Sequence, residues 1–454
     1  MIVDIYKKLK VLIIQGDTRT IKAKKNIFGS FIIKVLSIII SFLLVPLTLD
    51  FLNPYEYGIW LTLSSIIIWI DFLDIGLGNG LRNKLSEALA KDDMKLAQIY
   101  VSTTFYLLIA VVFIFFLLFI SFNYIINWYE ILNVDQAIIP DLKNIILFVF
   151  VFVLFSFVLK IVNNIYLAFQ MPVLTSILSF SGQLLTLVFI YLAGYLVDKG
   201  DLWYVSIIYI ISPTIVLLIA FPLTFFVKYK AIRPKATLIR IQYLKDLLGV
   251  GIQFFFIQVG GLLIFTTSNL IISNVLGPSD VTTYNIVYKY FYTIVFLYLI
   301  IITPMWSAST EAYIKRDLKW IISSVKTMLK IAALLVGIIV LMILFSGFVY
   351  NIWIGDKVSI PFSLSIISGV YMIILIFSTC FSTFIFGIGK LRLQLLNTLI
   401  SGLIFIPFAY FMSEKFGVTG VIIALCIVNI PALILNPIQF YKIIKGKAKG
   451  IWNR

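Results

Sequence analysis

Twelve long apolar runs divide this 454-residue chain and leave it few possible folds. They lie at about 27–49, 58–80, 98–122, 142–168, 173–197, 202–227, 246–275, 281–305, 322–349, 360–388, 391–412 and 416–440. A helix needs roughly 20 mostly apolar residues to cross the hydrocarbon of a bilayer. No water reaches backbone N–H and C=O groups there, so a crossing segment must satisfy them internally, as a helix does. Composition decides against burying these runs in a soluble core. Hydrophobic residues make up 61% of the chain and charged residues 12%, where soluble domains average roughly 45–50% and 25%. Too little polar surface remains to cover such a core. The expected fold class is an all-α polytopic membrane protein. Helix breakers stand at the joints, as in Asn53-Pro54, Met171-Pro172, Gly277-Pro278 and Ile360-Pro361.

An internal repeat sets the architecture. Ser86-Glu-Ala-Leu-Ala-Lys-Asp-Asp-Met-Lys95 returns 224 residues later as Thr310-Glu-Ala-Tyr-Ile-Lys-Arg-Asp-Leu-Lys319, with five identities in ten positions. The same offset carries Pro54 onto Pro278. The chain therefore reads as a duplication, with six spans in each half. An even number of spans per half sends both halves in from the same side. The repeat is then parallel, related by an axis along the membrane normal. The expected boundaries are an N-terminal segment at 1–26, a first bundle at 27–227, a basic linker at 228–245, a second bundle at 246–440 and a basic tail at 441–454.

Charge sorts the connections into two sides. One side holds the N-terminus, the 81–97 and 228–245 loops, the 306–321 segment, Lys390 with Arg392, and the tail, with 27 of the 36 Lys and Arg. Lys143, Lys199, Lys357 and Lys415 fall on the other side, among ten of the 20 acids. Positive loops stay in the cytoplasm, which places both termini inside, and no cleavable signal peptide is expected. Anionic headgroups account for the net charge of +16 without nucleic acid. The chain has no histidine and only two cysteines, Cys380 and Cys426, both in apolar runs. Histidine relays, thiolate metal sites and a disulfide framework are thereby excluded. Gly76, Gly78 and Gly80 lack the strand–turn–helix setting of a dinucleotide loop, and no phosphate-binding Gly-x-x-x-x-Gly-Lys-Ser/Thr exists.

Charges inside spans are the functional candidates, because burying them in hydrocarbon is costly. Lys34, Lys160 and Lys289 come from three spans in both halves. Facing inward, they would make a positive cavity, with Asn163 and Asn164 one helical turn from Lys160. Snorkelling to the interface is the other reading of each lysine. Asp71, Asp74 and Arg82 share one stripe of the second span. They read either as a gate or ion-coupling element, with Glu311 in the second repeat copy, or as a structural ion network. Gln253, Gln258, Asn269, Asn274 and Asn285 read either as a wet interior or as polar glue between helices. The repeated loops themselves read as hinges or latches.

Two stretches carry a family resemblance. Pro46-Leu-Thr-Leu-Asp-Phe-Leu-Asn-Pro-Tyr-Glu-Tyr-Gly-Ile-Trp60 and Asp74-Ile-Gly-Leu-Gly-Asn-Gly-Leu-Arg82, set in a parallel six-plus-six repeat, resemble the bacterial polysaccharide-biosynthesis flippases. These are the Wzx-type O-antigen and capsule translocases, in the superfamily that also holds multidrug extruders. The resemblance implies a V-shaped pair of bundles in the cytoplasmic membrane. It implies an undecaprenyl-pyrophosphate-linked oligosaccharide as cargo, moved outward by alternating access. The three lysines would hold the pyrophosphate. No cofactor is implied beyond a coupling proton or sodium ion. Expected partners are membrane lipids and a glycan polymerase or chain-length regulator, and the flippase itself is expected to be a monomer. A multidrug antiporter of the same superfamily is the alternative, although its cationic cargo calls for carboxylates and only Asp71 and Asp74 lie inside spans. A scaffold or membrane glycosyltransferase is a third reading, with Glu130, Asp135 and Asp141 in an outer loop as its thin support.

Overall fold

The computed structural model describes residues 18–70, 76–169, 171–197, 200–247, 259 and 267–453. Among these the chain is helical, with short 3-10 and π turns. Among the described residues, nine helices are long and apolar enough to cross a membrane. The first six expected spans are carried by α1 (Thr18–Phe51), α2 (Pro54–Ile70) with α3 (Leu77–Ala90), α4 (Met94–Ile125), α6 (Leu142–Leu159) with α7 (Ile161–Ala168), α8 (Pro172–Leu196) and α9 (Leu202–Pro222). A short α5 (Trp128–Leu132) lies between α4 and α6. Of the seventh span, α10 (Thr267–Val275) is described. Then come α11 (Pro278–Ile314), α12 (Leu318–Leu344), the short α13 (Ser346–Ile354), α14 (Phe362–Ile388) and α15 (Arg392–Ile444). The 53 residues of α15 hold two expected spans. They fold apart at Gly417, whose φ of 59° and ψ of −144° suit in practice only glycine. The expectation of about twelve spans is met in this way.

The helices sort into two compact units that do not follow chain order. One holds α1, α3, α4 and α6 to α9, with residues up to 247. In it α1 lies along α8, α8 along α9, and α3 packs on α4 and α7. Leu81, Leu85, Ala97, Val101, Ile161 and Phe225 form its core. The basic 228–245 segment is docked on this unit. Ile232 is fully buried, the Gln98 amide donates to the Arg233 carbonyl at 2.8 Å, and the backbone N–H groups of Lys235 and Arg240 donate to Ser102 and Thr103. The other unit holds α2, α5 and α10 to α15, with α14 packed on α11, α12 and α15. Tyr298, Tyr371, Phe291, Phe384 and Phe405 fill its core. Large apolar side chains such as Leu334 and Leu403 remain more than two-thirds exposed, as lipid-facing residues should be.

The repeated decapeptide is a helix reversal made twice. Asp93 caps α4 by accepting from the Leu96 N–H at 2.8 Å, and Asp317 caps α12 by accepting from the Trp320 N–H at 3.0 Å. The residue before each cap turns left-handed: Asp92 at φ 54° and Arg316 at φ 58°. Each cap's own N–H returns to the alanine carbonyl five residues back, Ala88 or Ala312. The identical Asp is thus an N-cap and the identical Ala lies in the turn. A left-handed non-glycine residue costs about 1–2 kcal/mol, and an N-cap contributes about 1 kcal/mol. Asp317→Ala should therefore lower the thermal midpoint of the purified protein, and Arg316→Gly should raise it. Equal midpoints in a melting experiment would contradict this account of the repeat.

Candidate functional site

The helix termini of the second unit meet in a polar clasp. At its edge the N-terminal turn of α2 faces that of α11. Gly58 lies against the Pro278 carbonyl so closely that a Cβ would collide with it. Beside it the Thr282 hydroxyl donates to the Pro54 carbonyl at 2.7 Å. Pro54 and Pro278 are 224 residues apart, and so are Gly58 and Thr282. The two contacts are therefore mates across a local pseudo-twofold, one made by a notch and the other by a hydroxyl.

Deeper in, a chain of neutral groups ties three helices together. The Asn285 amide on α11 donates to the Asn269 Oδ1 on α10 at 2.9 Å. Asn269 in turn donates to the Ser65 hydroxyl on α2 at 2.6 Å. Ser65 completes the relay by donating to the Leu61 carbonyl. Asn269 and Ser65 are buried. On the other flank of α10, the fully buried Ser273 donates to the Leu132 carbonyl of α5 at 2.7 Å. Asn269, Asn274 and Asn285 therefore serve as polar glue, while Gln253 and Gln258 lie outside the described residues. Desolvated amides and hydroxyls of this kind hold only while each finds its partner.

The sequence-selected charges fall in different places. Lys34 lies on α1 and is exposed; Lys160 stands at the junction of α6 and α7 and is half-buried. Asn163 and Asn164 follow on α7, both half-buried, and the Asn163 Oδ1 is buried without a partner. Those four belong to the first unit. Lys289 belongs to the second, half-buried on α11 beside a tyrosine ladder. Tyr284, Tyr288 and Tyr292 follow at four-residue intervals with ring centroids 5.6 and 5.2 Å apart, the second pair stacked at 15°. Their four-residue spacing is the sequence signal for such a ladder. Asp71 and Asp74 lie outside the described residues. Arg82 is exposed on α3, where its carbonyl accepts from the Ser86 hydroxyl. Glu311 is on α11, and its repeat mate Glu87 pairs with Lys84 at 2.9 Å, a bond that holds the Lys84 ammonium above its ordinary pKa. No group of acids and cysteines among the described residues is arranged to hold a metal ion.

The pattern that defines the polysaccharide biosynthesis protein family matches residues 23–309. A protein of Salmonella typhimurium strain LT2, named as a candidate O-antigen transporter, is 22% identical over 88% of this chain and 91% of its own length. A candidate O-antigen export protein of Yersinia pseudotuberculosis is 23% identical over 79% and 82%. Among solved structures, the inward-facing conformation of a multidrug resistance MATE family transporter of the MOP superfamily aligns with a TM-score of 0.74. It is 14% identical, covering 93% of this chain and 100% of that one. A MOP superfamily transporter of Pyrococcus furiosus, noted for the reverse polarity of its binding pocket, aligns with a TM-score of 0.60 at 16% identity over 97% and 99%. These likenesses establish the MATE-type fold.

The clasp makes its own prediction. Asn269→Leu removes the bonds to both Ser65 and Asn285, about 1 kcal/mol each, and sets an apolar side chain against their polar atoms. Thr282→Ala removes one hydrogen bond, about 1 kcal/mol. Thermal unfolding in detergent should rank Asn269→Leu well below Thr282→Ala, with Gly58→Leu lowest, because a helix backbone must move to admit the side chain.

Proposed function

The chain belongs to the polysaccharide biosynthesis protein family, and we propose that it is a flippase for a lipid-linked oligosaccharide. Its cargo is an undecaprenyl-pyrophosphate-linked O-antigen or capsule repeat unit, carried across the cytoplasmic membrane by alternating access. The observation that carries this reading is likeness to O-antigen transporters over nearly the whole of both chains. Both termini face the cytoplasm, and the halves 27–227 and 246–440 act as the two moving bundles.

The physics of the cargo explains the charges. An isolated phosphate anion cannot enter hydrocarbon without losing tens of kcal/mol of hydration. A route for it needs fixed cations that replace water, and charge-assisted hydrogen bonds from ammonium groups are the strong kind. Lys34, Lys160 and Lys289 supply three, with Asn163 beside Lys160 offering a buried oxygen that has no protein partner. The prenyl tail stays in the bilayer while the headgroup crosses. On this topology the clasp of α2, α10 and α11 lies at the outer face and must open to release cargo. Being neutral, it can part without stranding a charge. Asp71, Asp74, Arg82 and Glu311 belong to the opposite, cytoplasmic gate, and a proton or sodium ion drives the cycle. Fold likeness to multidrug transporters does not bring their cargo here, because lysines set to hold an anionic headgroup would repel cations.

Replacing Lys34, Lys160 and Lys289 by Ala in a strain lacking its own flippase should abolish surface glycan while membrane insertion is kept. Each single change should slow export by roughly tenfold or more, if each ammonium contributes about 1.5–3 kcal/mol to headgroup binding. Normal surface glycan in the triple variant would refute the role given to the lysines.

A further inference from the structure

The second unit contains a cavity that neither the clasp nor the lysines explain. It measures about 180 Å3 and lies between α14 and both arms of α15. By the yardstick of about 30 Å3 per water, that is the room of about six waters, the size of one sugar ring. Its lining is polar but uncharged: four amides (Gln394, Asn397, Asn429 and Asn436) and five hydroxyl side chains, with no Lys, Arg, Asp or Glu. One aromatic ring, Phe386, completes the wall, backed by Trp306 at 5.0 Å between centroids.

Gln394 shows what the cavity is built for. It is 7% exposed, and both its amide atoms, Oε1 and Nε2, are buried without a partner in the protein. Leaving both unmade is a standing cost to the fold. The neighbouring amides are committed: Asn436 donates to Ser378, and Asn429 to the Leu425 carbonyl. A ligand for Gln394 must therefore donate and accept at adjacent atoms. A metal cation would serve Oε1 and repel Nε2, and no carboxylate here would offset its lost hydration. A phosphate would serve Nε2 alone, with no cation to balance it. Neighbouring sugar hydroxyls, each both donor and acceptor, satisfy the pair at once, and an aromatic face suits the C–H side of a pyranose.

We propose that this cavity is a binding subsite for one uncharged pyranose residue of the transported oligosaccharide, and that Gln394 is its reader. The proposal rests on the flippase reading. It divides the headgroup between two kinds of recognition: lysines for the pyrophosphate, and neutral amides for a sugar.

The test uses full-length protein in nanodiscs and the methyl glycosides of glucose, galactose, N-acetylglucosamine and N-acetylgalactosamine, followed by ligand-observed NMR in potassium and in sodium buffer. The expected result is a saturable response to at least one sugar, in the millimolar range of a single-ring ligand, in both buffers. Gln394→Leu should abolish it while the thermal midpoint stays level or rises, because an unpartnered amide has gone. Asn397→Ala should weaken it several-fold. An undiminished response in Gln394→Leu, no response from the wild type, or a response seen only with sodium would each overturn the subsite. Surface glycan restored by the wild-type gene in a flippase-deficient strain tests the other reading separately. Restoration without sugar binding sinks the subsite alone; sugar binding without restoration keeps the sugar site but sinks the flippase reading and, with it, the site's role in transport.

Discussion

Backbone hydrogen bonding in a solvent without water governs this protein. A chain that is 61% hydrophobic commits its length to the bilayer, where each peptide group needs a partner within the protein. The described residues answer with helices. The places where a helix yields are the informative ones: the glycine kink at Gly417, the junction at Lys160, and the left-handed residues Asp92 and Arg316. At Asp92 and Arg316 the break is closed by a turn followed by an aspartate cap.

Because lipid is as apolar as leucine, hydrophobicity cannot decide which helices associate. Small residues and neutral polar groups decide instead. Gly58 lets α2 come against the Pro278 carbonyl, and Thr282 bonds Pro54 across the same seam. The Ser65–Asn269–Asn285 relay adds direction, since each amide can satisfy its neighbours in few ways. Duplication explains the pairing of the seam: equivalent helix ends meet, and each half contributes what the other needs.

The two classes of polar residue divide the work. The ammonium groups proposed to meet a charged headgroup lie on α1, at the α6–α7 junction and on α11, the last beside an ordered tyrosine ladder. Amides and hydroxyls fill the interior, where a charge without a partner would be intolerable. The proposed cargo, with an anionic diphosphate and a polyhydroxyl chain, presents both chemistries. The basic 228–245 segment illustrates a third use. Its backbone is fixed on α4 by Gln98, Ser102 and Thr103 while its cationic heads stay outside.

Much of this was legible in one dimension. Span number, charge asymmetry, the 224-residue duplication and the intramembrane lysines all follow from local composition and spacing, because the cost of placing each residue in lipid is nearly a property of that residue. The caps could also be read, since Asp93 and Asp317 act on amides three residues away. What the sequence left open was direction. Asn269 and Asn285 carried equal claims as wet lining and as glue, and only packing against Ser65 chose glue. Gln394 gave no signal at all, because its meaning lies in being buried among side chains drawn from α14 and from the far arm of α15. In water an amphipathic stripe would have revealed such faces. In lipid both faces of a helix are apolar, so the sequence determines that a helix crosses, and tertiary structure alone decides which side of it faces protein.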